Sequence, residues 1–211
     1  MVYRFSPDRK GEHPRQHLQG SGGILQADAY AGFGQLYERR ADGSRQFREA
    51  ASWAHLRRDF HDVWETTKSE IAREALDRIG KLYDVERVIA GQSAEMRKAA
   101  RQRHSKPMVD TFKAWAEAQL LRIPGKGNLA KAFRYGLSRW PSFELFLEDG
   151  RTGIDNNPAE RAMRPIGIGR KNWLFAGSDR GGETLARAMT LIETAKMNGL
   201  DSQAWLADLL E

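Results

Sequence analysis

The chain has 211 residues, of which 40% are hydrophobic and 29% charged, with a net charge of +6 and a pI of about 9.7. That length is enough to bury a core, as one domain with an insertion or as two small domains. The lack of any cysteine excludes disulfides and cysteine-ligated zinc, no apolar run reaches the length of a membrane span, and the start MVYRFSPDRKGEHPRQH lacks the apolar stretch of a signal peptide. The expectation is a soluble, cytoplasmic protein with no membrane partner. Its basic balance points to a polyanion, nucleic acid before membrane surface, or simply to a solvated basic face.

The first elements are short. VYRFS alternates apolar with polar residues, which predicts a strand running into the turn PDRKGEHP. A short polar helix follows, then a strand at GILQA, which delivers Asp28 into a turn bearing Gly and Tyr. YAGFGQLYERR is helical in spacing despite its glycines. DGSRQFREAASWAHLRRDFHDVW predicts a turn, a strand around Phe47 to Trp53, and the opening of a helix. Strand, helix, strand, helix in this rhythm predicts a parallel α/β arrangement.

From about Val63 to Phe146 the patterns are helical throughout. Ile71, Ala75, Ile79, Leu82 and either Val85 or Glu86 share one face; Val109, Phe112, either Trp115 or Ala116, and Leu120 share another. A third segment, NLAKAFRYGLSRWPSFELFLED, is bent or broken at Pro141. The basic run RKAARQRHSK between them is either a solvated helix face or a contact to a DNA backbone. Further on, Asn156 or Asn157 caps a helix whose first position suits Pro158 and whose first turn holds Glu160. The end is helical from Leu185 to Asn198, stops at Gly199, and resumes from Ser202 to Leu210.

Two carboxylates stand out. A carboxylate just beyond a parallel strand sits where α/β folds place chemistry, so Asp28 is either a ligand or a turn residue. Glu160 is either a partner of the helix dipole or a second ligand. Mg²⁺ takes hard oxygen ligands and needs only one or two protein carboxylates. Two such ions roughly 3.5–4 Å apart serve phosphodiester cleavage. Spacing alone leaves both readings open.

ILQADAYAGFGQLYE, ASWAHLRRDF, IDNNPAERAMRPIGIGRKNWLFAGSDRGGE and LIETAKMNGLDSQAWLADLL, in that order over nearly the whole chain, resemble the catalytic part of the insertion-sequence sixty-six family of DDE transposases. The last segment resembles that family's C-terminal extension. The resemblance implies an α/β fold: an incomplete ribonuclease-H-like core with a large all-helical insertion and a helical C-terminal extension. The corresponding parts are a partial core over 1–62, the insertion over 63–146, a catalytic helix and return to the core over 147–180, and the extension over 181–211. Asp28 matches the second acid of the catalytic triad and Glu160 the third, both as ligands of Mg²⁺ or Mn²⁺, two ions in a complete site. Arg161, Arg164, Arg170 and Lys171 follow closely and would engage DNA phosphates, against plain surface charge. The family commonly has Cys, or Asp in relatives, where this chain has Ser52; with His55 it forms a structural hydrogen bond or a group near the site. Asn156 and Asn157 either cap the helix or stand near the metal. Trp173 and Phe175 are core or base-stacking residues.

The resemblance also implies what the 211 residues lack. VYRFS matches the third strand of the family's core, and no Asp matches the first acid; Asp8 lies in a turn with no strand leading into it. The strand before Asp28 therefore has an open edge, which invites pairing with another chain. Three readings follow. The chain is the C-terminal catalytic portion of a bacterial insertion-sequence transposase, cleaving transposon ends and joining them to target DNA as a homo-oligomer, with accessory proteins of the same element. Or it is a catalytically inactive truncated remnant that binds DNA or full-length transposase. Or it is an unrelated helical nucleic-acid-binding protein. The expectation for the purified chain alone is no cleavage of transposon-end DNA.

Overall fold

The structure is a computed structural model, and it describes residues 1–27, 31–169 and 176–210. The chain divides into two compact units, one of residues 21–157 and one of residues 1–20 with 158–211.

The larger unit begins with the only sheet among the described residues. Strand β1 (Gly23–Gln26) pairs in parallel with β2 (Phe47–Ala50), Gly23 opposite Phe47 and Gln26 opposite Ala50. A 3-10 helix over Ala31–Tyr37 makes the crossover, burying Leu36. The parallel α/β expectation is met in this coarse form, with a sheet of two strands beside a body that is otherwise helical. The second strand ends at Ala50 rather than running on to Trp53, because Trp53 already opens α2 (Trp53–Thr67).

Helix α2 ends at Lys68, in a left-handed conformation with φ 51°. Ser69 then caps α3 (Glu70–Val88) by accepting the Ala72 N–H at 3.4 Å. Helix α4 (Ala94–Ala100) continues through a π-helical turn over Arg101–Ser105 into α5 (Lys106–Arg122). Then come α6 (Asn128–Ser138) and α7 (Trp140–Glu148), separated at Arg139, with Pro141 in the first turn of α7, where its missing N–H costs nothing. The apolar periodicity decides which faces meet. Ala75, Ile79 and Leu82 of α3 and Val109, Phe112 and Ala116 of α5 enter one core with Trp53, Phe60, Phe133, Trp140, Phe143 and Phe146. Of the two residues open at one position, Ala116 is buried and Trp115 packs at the edge of the core.

In the smaller unit, residues 2–6 are not a strand, contrary to the expectation for VYRFS. A strand is held by its neighbours' ladder, and this segment has none among the described residues. Its groups find helix partners instead. The Tyr3 N–H donates to Thr190 Oγ1 at 2.9 Å, and the Tyr3 hydroxyl donates to the Ala162 carbonyl at 2.7 Å. The remaining helices of this unit are α1 (Glu12–His17), α9 (Asp179–Met197) and α10 (Ser202–Leu210). Ser178 caps α9, and Gly199, at φ 70°, turns the chain between the last two. Helix α8 (Asn157–Gly169) starts at the last residue of the larger unit and runs through the smaller. No described helix is long and apolar enough to cross a membrane.

Candidate functional site

The site is built on the loop between α7 and α8, residues 149–156, which lies against the carboxyl ends of both strands. The Gln26 amide, at the end of β1, donates to the Gly153 carbonyl at 2.9 Å. Just beyond β2, the Ala51 N–H donates to Ser142 O at 2.9 Å, and the Trp53 N–H donates to Ile154 O at 3.1 Å. Gly153 is a fitted position. A Cβ there would stand 2.8 Å from the Asp155 carbonyl oxygen and 3.1 Å from Gln26 Oε1, so a side chain would push the loop off the strand end. The carboxyl ends of parallel strands are where open α/β sheets receive ligands. Here they are tied to the segment that leads into α8.

Arg101 holds the same loop from the helical side. It comes from the basic run that sequence leaves as either solvated or DNA-bound, yet its side chain is fully buried. Its Nε and Nη2 donate to the two Glu86 carboxylate oxygens, each at 2.7 Å. Its Nη1 donates to the carbonyls of Phe146 (2.9 Å), Asp149 (3.3 Å) and Thr152 (2.8 Å). A planar guanidinium with five fixed donors meets such a set; a lysine cannot.

Inside the loop is a carboxylate that sequence reasoning quoted but did not use. Asp155 is buried; it accepts the Asn157 N–H at 3.1 Å, the Asn157 amide at 2.7 Å and the Tyr83 hydroxyl at 3.0 Å. The first of these closes an Asx-turn, which sets the chain's entry into α8. Burial first, then the adjacent Asp155, pushes the Tyr83 phenol well above its ordinary value. The signal in sequence is an Asp two residues before a helix start, but its partner lies 72 positions away.

The structure brings only some of the anticipated residues together. Asn157 is the first residue of α8, and its side chain serves Asp155. Asn156, anticipated with it as the cap, is buried just before the helix. His55 stands in the first turn of α2, where its N–H reaches the Ser52 carbonyl at 3.2 Å; the Ser52 hydroxyl, fully buried, does not make the anticipated side-chain bond. Glu160 lies in the first turn of α8, partly buried, with Arg161 and Arg164 exposed after it and in no ion pair among the described residues. Asp28, Arg170, Lys171, Trp173 and Phe175 lie outside the described residues. Among the described residues three metal-ligand types converge once, at Asp8, Glu12 and His13. That group is exposed. Asp8 is drawn to about 2 first by the Lys10 backbone N–H and is occupied by Lys10 and His13 as well, so it is an ion-pair cluster.

A family model described as "Transposase IS66 family" matches residues 1–184, and one described as "IS66 C-terminal element" matches residues 190–211. The chain belongs to the IS66 transposase family. Its curated relatives include three proteins of Sinorhizobium fredii, each named only as uncharacterized. It is 41% identical to y4hP over 99% of this chain, 41% to y4qI over 100%, and 40% to y4jD over 99%. The chain spans 40%, 39% and 41% of those proteins' lengths, about two-fifths in each case. No solved structure matches this IS66 chain.

The Tyr83–Asp155 bond carries its own prediction. Tyr83→Phe removes a donor to a buried carboxylate and costs about 1.5–3 kcal/mol, read from urea unfolding at pH 7. The phenol is raised in the folded protein, so folding favours its protonated form. That contribution is full below about pH 10 and is lost as pH climbs past it. The wild type therefore loses stability above pH 10 more steeply than Tyr83→Phe does. Equal stability at pH 7 with equal alkaline slopes means that the bond contributes nothing.

Proposed function

We propose that this chain is the carboxyl-terminal catalytic portion of a bacterial insertion-sequence transposase, acting on DNA in the cytoplasm. In this reading Asp28 and Glu160 bind divalent metal within a ribonuclease-H-like core that residues 63–146 interrupt. The observation that carries it is the tie between Gln26 and Gly153. One acid follows β1 by two positions and the other follows Gly153 by seven, so the bond joins the two stretches of chain that lead to them. The donor set also suits the metal. Both side chains are hard oxygen ligands, neither sulfur nor imidazole is among them, and Glu160 is only partly buried.

A bound Mg²⁺ or Mn²⁺ would supply Lewis-acid stabilisation of phosphate oxygens and lower the pKa of a bound water. Of the three acids of a complete site this chain would supply the second and third, and its other residues act beside them. Arg161 and Arg164, with Arg170 and Lys171, engage DNA phosphates. The Asp155 turn fixes where α8 begins, three residues before Glu160. The reaction is hydrolysis of a phosphodiester at the element's end, leaving a 3′-hydroxyl, which then attacks a phosphodiester of the target and displaces its 3′-oxygen. Paired ends call for a homo-oligomer, with accessory proteins of the same element.

The test is Mn²⁺ binding by the purified chain, followed by electron paramagnetic resonance. Asp28→Ala and Glu160→Ala should each weaken binding roughly tenfold or more. Unchanged affinity in both variants overturns the assignment.

A further inference from the structure

Helices α2 and α3 pack side by side, and an open groove of about 950 Å³ runs between them, with Asn157 at its margin. Four cationic side chains line it, Arg57 and Arg58 from α2 and Lys81 and Arg87 from α3, against the two carboxylates Asp77 and Asp84. Arg87 pairs with Asp84 at 2.9 Å on the open surface. Arg57, Arg58 and Lys81 make no ion pair among the described residues. With no anion at ion-pair distance among the described residues, these three exposed cations are open to an external one.

Gly80 is a second, independent sign. It lies in the interior of the 19-residue α3 and lines the groove, where a Cβ would meet nothing within 4 Å. No packing in the fold demands glycine there, and alanine stabilises a helix interior relative to glycine. Glycine is used where a backbone and a ligand approach closely. The lining of α3 from Asp77 to Arg87 rises about 15 Å, the length of roughly four base steps of duplex.

We infer that this groove on the helical insertion is a DNA-backbone track, in which Arg57, Arg58 and Lys81 contact successive phosphates and Gly80 lets the strand lie against α3. The inference rests on the transposase reading and adds residues of α2 and α3 to it, none of which is among Asp28, Glu160 and the cations that follow Glu160 in sequence. Because the contacts are to phosphate, the track is indifferent to base sequence.

The test is fluorescence anisotropy of a mixed-sequence 30-base-pair duplex with the full chain, across a salt series. The triple variant Arg57→Gln, Arg58→Gln, Lys81→Gln should weaken binding about tenfold or more and reduce the salt slope by about 2–3, one unit per phosphate contact. Gly80→Ala should raise the melting temperature and still weaken binding, a combination that a purely structural glycine does not produce. Wild-type affinity and slope in the triple variant, with Arg161→Gln, Arg164→Gln weakened instead, overturns the track and leaves the transposase reading standing. No duplex binding by the wild type at any salt overturns both. Affinity for poly-glutamate equal to that for DNA overturns the track in favour of an acidic protein partner.

Discussion

Arg101→Met should cost about 3–5 kcal/mol of stability, the largest loss expected for a single charged residue in this chain. The guanidinium is fully buried, and removing it takes both charge-assisted hydrogen bonds from Glu86, a largely buried carboxylate, 13% exposed, that among the described residues keeps only the longer contact to Arg97 at 3.6 Å. It also strips the Arg101 donor from the carbonyls of Phe146, Asp149 and Thr152. A second variant separates these two effects. Replacing both partners of a buried ion pair with apolar residues is often close to neutral. Here Arg101→Met with Glu86→Leu should recover only part of the loss, because the Phe146 and Thr152 carbonyls still lack the Arg101 donor and the Asp149 carbonyl keeps only the Thr152 N–H. Full recovery in urea unfolding would mean that Arg101 serves the ion pair alone and does not anchor the loop. If the chain binds metal as proposed, Mn²⁺ affinity should also fall in the single variant, through lost loop order.

Trp53→Ala should be nearly as damaging, at about 3–5 kcal/mol. Trp53 is fully buried at the junction of β2 and α2, with edge-on ring contacts to Phe112, Trp140, Phe143 and Phe146 at centroid distances of 5.3–6.4 Å. Its indole N–H donates to the Phe143 carbonyl at 3.0 Å. Truncation opens a cavity among rings held in place by several neighbours at once, so the site cannot collapse to fill it. Trp53→Phe keeps most of the apolar volume and loses the N–H, and should cost about 1–2 kcal/mol. Equal costs for the two variants would mean that the hydrogen bond, not the packing, dominates.

Legibility in the sequence followed the range of the forces involved. The helices of the insertion were readable because their signal is local: Ala75, Ile79 and Leu82, or Val109 and Phe112, recur at helical spacing and face the core they share. The break near Pro141 is local in the same way. Residues 2–6 were misread as a strand because alternation marks only a capacity to pair, and their N–H and hydroxyl groups went to Thr190 and Ala162 instead. Arg101 could not be told from the arginines around it, since its carbonyl acceptors lie 45 to 51 positions further along the chain and its carboxylate partner lies 15 before it. Asp155 was hidden for the same reason: its Tyr83 donor is on another helix. The basic groove between α2 and α3 escaped because its cations alternate with core residues on each helix and converge only when the two pack. At Glu160 first-turn position alone leaves cap and ligand equally open, and the ligand role is what the family resemblance implies.

The central claim is that Asp28 and Glu160, 132 positions apart in sequence, hold the same metal. It is tested most directly by loading the chain with Fe²⁺ and mapping backbone cleavage after addition of ascorbate and peroxide. The account predicts cuts beside Asp28 and beside Glu160 in one preparation, with both sets lost in Asp28→Ala and both lost in Glu160→Ala. Cuts confined to the neighbourhood of Asp8, Glu12 and His13, or cuts at either acid that survive removal of the other, would contradict it.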